Sequence, residues 1–276
     1  MTELLRCDAC GGAVVWDAAQ AGAACLFCGT LAVELHALTE PLPEPDTWLP
    51  PRIRLDRADA SFRAWARRSW FRPKGLASAE LQLRPLLLPA WRVHGRLESH
   101  WAGLTKARTK SGWEPVTGVA QADRVCLIPA SAGLDQAELS ALLPFDETDA
   151  RPWSERGGEG EAEGEWIWEP PVLTRRGARA PARRALSDDH AAAIARDRGL
   201  RRCRVSALVE ERDVSLVMLP IYIGVFRFRD RPWRILVHGQ TGELVGDAPV
   251  DRGKVVALVV LGLAIAAAWL WFDAHR

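Results

Sequence analysis

The sequence predicts an α+β fold in three parts. These are an N-terminal zinc ribbon, a β-rich domain of two related helix-plus-meander halves, and a C-terminal transmembrane helix. Three observations carry the expectation. Two C-x2-C pairs, Cys7/Cys10 and Cys25/Cys28, stand 14 residues apart. From Trp91 onward, stretches of apolar and polar residues alternate as in half-buried strands. Residues 255–272 run 18 positions without a charge, Pro, Asn or Gln. At 1.5 Å rise per residue a helix of that length spans about 27 Å, close to the hydrocarbon thickness of a bilayer.

In chain order, residues 1–38 form the ribbon. Each C-x2-C pair makes a tight turn with both sulfurs on its inner side, so two pairs can surround one tetrahedral Zn²⁺. Cys7, Cys10, Cys25 and Cys28 are the expected ligands of a structural zinc. Four protein ligands leave no open coordination position for catalysis. A thioredoxin-like redox pair would need only one C-x2-C in a βαβ setting. Residues 13–16 read as a short strand and residues 31–35 as its partner. Arg6 is the one basic side chain in residues 1–35, against Glu3, Asp8, Asp17 and Glu34. Phosphate binding needs several Lys or Arg, so a structural or protein-binding knuckle is favoured over a nucleic-acid contact.

Residues 39–51 are Pro-rich and acidic, the composition of a semi-rigid linker. The α+β domain then spans residues 52–250. A helix is expected over 56–71, capped by Asp59 or Ser61, with Phe62, Trp65, Trp70 and Phe71 as its apolar side and Arg63, Arg67, Arg68 and Arg72 elsewhere. Strands follow over 91–101 and 116–129, with a hairpin tip near 105–112. A short helix over 133–143 has Asp135 and Glu138 at capping-box spacing. Residues 154–165 are almost wholly Gly and Glu, so they lack the apolar side chains to drive folding and read as a flexible acidic loop. A helix over 175–198 is expected to break near Ala180-Pro181. Strands return over 222–229 and 233–238, with a turn at 239–242. Leu88-Pro89-Ala90-Trp91 has a counterpart in Leu219-Pro220-Ile221-Tyr222, each behind a helix and ahead of a strand. That points to an internal repeat.

The ribbon, the Leu-Pro-aromatic strand, the segment Arg231-Pro232-Trp233 to Pro249 and Lys254 before an apolar tail resemble a bacterial family of zinc-ribbon, single-pass membrane proteins of uncharacterised function. In that family the turn segment commonly reads V-N-G-Q-T-G, and His238 stands here where Asn is usual. The resemblance implies the ribbon and the anchor, and no activity.

No nucleophile elbow, phosphate-binding loop, dinucleotide fingerprint or H-E-x-x-H is present. His94 and His100 share one face of a strand and could hold a metal, but the reading favoured is of ordinary surface or core histidines. Cys126 and Cys203 sit in apolar surroundings as inert thiols. A net charge of +1 gives no global pull toward nucleic acid or anionic lipid.

The N-terminus lacks a basic segment followed by an apolar run, so no secretory signal is expected. The resulting expectation is a non-enzymatic, tail-anchored protein of the inner (plasma) membrane, single-pass with its N-terminus cytoplasmic and its thiols reduced. Its role would be that of an interaction or scaffold module for a protein partner. The alternative is a membrane-tethered nucleic-acid-binding protein that uses the ribbon and the arginines of residues 63–72. Gly262 and Ala266 would allow close packing of two transmembrane helices, hence homo-oligomers.

Overall fold

The computed structural model describes residues 3–9, 12–15, 25, 27, 30–31, 33–37, 43–107, 112–156, 166–229 and 231–275. The fold is mixed α+β, built on one large sheet and ending in an apolar helix. Two long antiparallel strands, β5 (Leu81–Lys106) and β9 (Arg201–Phe228), form its spine and pair from Leu81↔Phe226 to Leu104↔Arg201. β6 (Trp113–Pro129) flanks the far half of β5, and β10 (Arg231–His238) flanks the far half of β9.

The two halves of the domain are related by a local twofold. Leu88 pairs with Leu219, its own repeat counterpart, and the neighbouring pairs Pro89↔Met218 and Leu87↔Pro220 exchange under the same rotation. The symmetry extends outward. A short strand β4 (Thr47–Trp48) runs parallel to β9 at Val217–Met218, and its equivalent β8 (Ile167–Trp168) runs parallel to β5 at Leu86–Leu87. Each is followed by a helix, α1 (Leu55–Arg68) and α3 (Arg175–Asp197).

Proline is excluded from central strands because it cannot donate to the ladder, yet Pro89 and Pro220 occupy the centre of this sheet. Each sits where one neighbour hands over to the next. Leu87 O accepts from Glu169 just past β8, and Pro89 O accepts from Ala130 N at the end of β6 (2.9 Å). On the other half, Met218 O accepts from Leu49 N, and Pro220 O accepts from Gly239 N (2.8 Å). The missing N–H faces a gap in pairing and costs no ladder bond.

Both helices cover one face of the sheet. α1 presents Ala58, Phe62 and Ala66 at four-residue spacing to Met218, Tyr222 and Phe226, with the Phe62 and Phe226 rings 5.1 Å apart. α3 presents Ala178, Ala182 and Leu186 to Trp91, Val93, Leu97 and Leu216. The opposite face carries Leu86, Leu88, Ala90, Val217, Leu219, Ile221 and Ile223, covered by α2 (Gln136–Leu142) and by part of the N-terminal unit. The centre of the spine is therefore apolar on both faces, as strands covered on both sides are. Beyond it burial alternates along β5: residues 95, 97, 99 and 101 are buried, and 96, 98 and 100 are exposed.

Several expectations change. Residues 13–15 (β2, Ala13–Val15) and β3 (Val33–Ala37) do not pair with each other. β1 (Glu3–Cys7) lies between them and pairs with both, giving the order β2-β1-β3. The stretch read as a linker is structural at its end: Trp48 and Leu49 are buried, and β4 pairs with both β9 and β7 (Arg151–Pro152).

α1 begins at Leu55 with no side-chain cap. α3 is unbroken through Pro181 and is capped by Thr174, whose hydroxyl accepts from Gly177 N (3.1 Å). The carbonyl that Pro181 leaves without its helical partner belongs to Gly177. The expected capping box of α2 is present, with Asp135 and Glu138 each bonding the other's backbone N–H. Most of the acidic loop, residues 157–165, lies outside the described residues. The sheet ends at β11 (Leu244–Gly246), and α4 (Arg252–Ala274) then leaves the domain.

Candidate metal centre

Cys7 ends β1 and Cys25 opens the second knuckle. The two have the same local geometry: Cys7 N–H donates to Gly12 O (2.9 Å) and Cys25 N–H to Thr30 O (2.7 Å), each five residues on. Two loops of equal span close in the same way, as two copies of one knuckle would. Phe27 N–H points at Cys25 Sγ (3.4 Å), and Cys7 Sγ lies 3.4 Å from the Thr30 hydroxyl, which ties the first knuckle to the second. Both cysteines are buried. Two buried sulfurs, one met by a backbone N–H and the other beside a hydroxyl, suit thiolates, so this part of the site fits a zinc site. Cys10 and Cys28 lie outside the described residues.

The unit is docked rather than tethered loosely. Phe27, inside the second C-x2-C, is 2% exposed and joins the core cluster of Leu134, Leu139 and Leu142. Its ring lies against Gly12 and Gly133. A Cβ built on Gly133 would fall 2.1 Å from the ring, and one on Gly12 would fall 2.3 Å away. Both positions need glycine for close approach. Gly133→Ala is expected to destabilise the protein by about 1–3 kcal/mol and to release the N-terminal unit first. A thermal melt with limited proteolysis within residues 1–45 would show this; an unchanged melt and cleavage pattern would disprove it.

Beside this contact lies a buried carboxylate. Glu169 has no exposed surface. Its oxygens accept from Ser131 Oγ and from Ala132 N (3.0 Å), and the backbone N–H groups of Gly133 and Ala13 also bond to it. One side chain from the second half thus joins β2 of the N-terminal unit to the loop 131–133 of the first. Burial pushes its pKa up to about 7, against the opposing pull of those donors.

The other polar groups singled out in the sequence serve the fold. His94 and His100 do share a face, but six residues along a strand place them about 20 Å apart, too far for one ion. His238 takes over the turn-closing role of an Asn: its Nδ1 accepts from Gln240 N (3.0 Å) and Thr241 N (3.3 Å). Its Nε2 then carries the proton and donates to Pro144 O (3.2 Å). Burial lowers its pKa and keeps it neutral. Gly242 has the positive φ expected of the turn (79°), while Gly239 is required by its approach to Pro220 O. Ser99 and His190 form a hydrogen bond of 2.8 Å, but they are 4% and 2% exposed and join α3 to β5. Cys126 is held protonated, its pKa pushed up by burial to about 12.

The arginines of α1 are partly committed. Arg63 bonds Asp59 and the carbonyls of Ala77 and Ala79, and Arg72 stacks on Trp65 at 3.9 Å. Of the four arginines expected as contacts, these two are taken up by the fold, while Arg67 and Arg68 are exposed.

Sequence reasoning missed two groupings. Glu169 stood beside Pro170-Pro171, between the acidic loop and the helix expected over 175–198, in a stretch that carried no functional reading. Asp8, Glu34 and His36 bring potential ligand atoms within 4.8 Å of one another on the exposed surface of the β1–β3 pair. Pairing puts them there, because Cys7 opposes Val33 and Leu4 opposes His36. Comparison with protein-family models, with curated proteins and with solved structures finds no match to this chain.

Proposed function

We propose that the protein is a membrane-anchored interaction module. A structural zinc ribbon is fixed against an α+β domain, and α4 holds the assembly at the bilayer. The supporting observation is α4 itself. Arg252–Asp273 is long and apolar enough to cross a membrane, none of that window is buried, and every described side chain from 255 to 273 is exposed. A core helix of this composition would be covered.

The cytoplasmic orientation is supported by the basic residues at the near end of α4, among them Arg72, Arg252 and Lys254. A surface for a protein partner is offered by the uncovered face of the β6-β5-β9 arm. There Val119 (68% exposed) and Leu208 (71% exposed) flank His100 over a hollow of about 730 Å3. The zinc would act by holding the knuckles closed around Phe27.

Deleting residues 255–272 is expected to move the protein from the membrane fraction to the soluble fraction without loss of its thermal transition. Retention in carbonate-washed membranes would disprove the anchor. Leu208→Asp in the full chain is expected to abolish cross-linking of a partner in native membranes while leaving the protein membrane-bound.

A further inference from the structure

The end of the domain from which α4 departs carries a cleft that neither the core nor the ribbon uses. The β9–β10 hairpin forms one side and the segment leading into α4 the other. Phe228, Arg229, Arg231, Trp233, Val250 and Arg252 line a volume of about 430 Å3. Three guanidinium groups therefore border one small space. All three arginines are exposed. Among the described residues none of them is engaged by a carboxylate, and Arg229 lies over the Phe228 ring at 5.6 Å. Some other arginines of the domain are paired, such as Arg52 with Asp146 and Asp149, Arg92 with Glu147, and Arg234 with Glu138. The nearby carboxylate of Asp251 is turned to Gly253 N–H (3.1 Å) and to Lys254 (4.0 Å).

The height of the cleft is set by α4. Arg252 is the first residue of the helix, and the uncharged stretch begins at Val255, three residues or about 5 Å further along the axis. Alongside, Lys254 Nζ is fixed to the carbonyls of Trp70 (2.8 Å) and Arg72 (2.9 Å). Trp70 and Phe71 project at the same level, 61% and 40% exposed. Exposed Trp beside a membrane-entering helix marks the headgroup layer.

We propose that this cleft binds the phosphate headgroup of an anionic phospholipid from the membrane that α4 enters. The proposal rests on the reading of α4 as a membrane span. Guanidinium groups match phosphate oxygens in bidentate pairs, which a lysine cannot do. Trp233 and Val250 provide an apolar wall for the glycerol and the first acyl carbons.

The test uses the full chain extracted from membranes in mild detergent and offered mixed phosphatidylglycerol and phosphatidylcholine, with retained lipid counted by native mass spectrometry. Phosphatidylglycerol is expected to be retained in preference. Arg229→Ala/Arg231→Ala should lower that retention by roughly fivefold per arginine, while Arg184→Ala on the outer side of α3 leaves it unchanged. If the double variant does not fold, Arg252→Gln reads the same cleft from α4. Equal retention of the two lipids, or retention unchanged by these variants, would overturn the proposal. Equally tight binding of glycerol 3-phosphate would show a site for free phosphate esters and would also overturn it. Wild-type protein found in the soluble fraction before any detergent is added would instead remove the membrane reading beneath it.

Discussion

Cys25→Ser is expected to abolish zinc binding, from about one ion per chain to none, and to unfold the N-terminal unit. The cost would be large because a bound zinc would supply most of the order of so small a unit: apparent binding free energies of structural zinc are about 10–16 kcal/mol. The damage should propagate inward, because Cys25, Phe27 and Leu134 belong to one cluster. Loss of the knuckle frees Phe27 and uncovers the 131–133 loop. Metal analysis of purified protein, together with proteolysis of residues 1–45, checks this. A variant that keeps a full equivalent of zinc, or a wild-type protein that binds none while its ribbon stays protected, would contradict the zinc assignment.

Glu169→Leu should cost about 3–6 kcal/mol. The leucine restores the apolar residue that the other half carries at the equivalent position, Leu49. It leaves the Ser131 hydroxyl and the N–H groups of Ala132 and Ala13 without their acceptor, and each buried unsatisfied donor costs about 1–3 kcal/mol. The pH dependence separates this carboxyl from other groups. Its folded pKa, about 7, lies above its ordinary value of 4.5. Its contribution is therefore fully present below about 4.5 and is lost as pH rises through 7, by about 3 kcal/mol in all. Glu169→Gln removes that titration, so the variant should gain on the wild type between pH 5 and pH 8 by up to this amount in denaturant melts. A constant difference across that range would show that the carboxyl does not titrate there.

The repeat was legible at Leu88-Pro89 and Leu219-Pro220 because proline in an apolar run is conspicuous. The structure explains why those residues stand out: they lie on the twofold, where neighbours change on both strands. A second signature was equally visible in the sequence. Trp48-Leu49-Pro50-Pro51 and Trp168-Glu169-Pro170-Pro171 each begin seven residues before a helix, at Leu55 and Arg175. Read together with the first, they separate the repeat units and make the 39–51 linker end before Trp48.

The buried role of Glu169 was hidden because its partners come from residues 13 and 131–133, joined only by the docking of one half on the other. The strand order of the N-terminal sheet was missed because β1, with its short Leu4-Leu5 apolar stretch, runs up to the first cysteine. The arginine cleft was hidden because Arg229, Arg231 and Arg252 belong to a hairpin and to a helix start that fold together only at the end of the chain.

The pairing of Leu88 with Leu219 also sets an order of events during synthesis. The two residues are 131 positions apart, and non-local pairing of this kind is slow to form. Until β9 has been made, β5 has an unpaired edge along its whole length, bearing the apolar run Leu86-Leu87-Leu88, a template for pairing with other chains. The first half thus emerges as an incomplete sheet that depends on shielding, and its partner β9 is complete, at Phe228, only 24 residues before the apolar helix begins at Arg252. Folding of the domain and delivery of that helix to a bilayer fall close together in time, so a chain slowed in the first step would reach the membrane with its sheet still open.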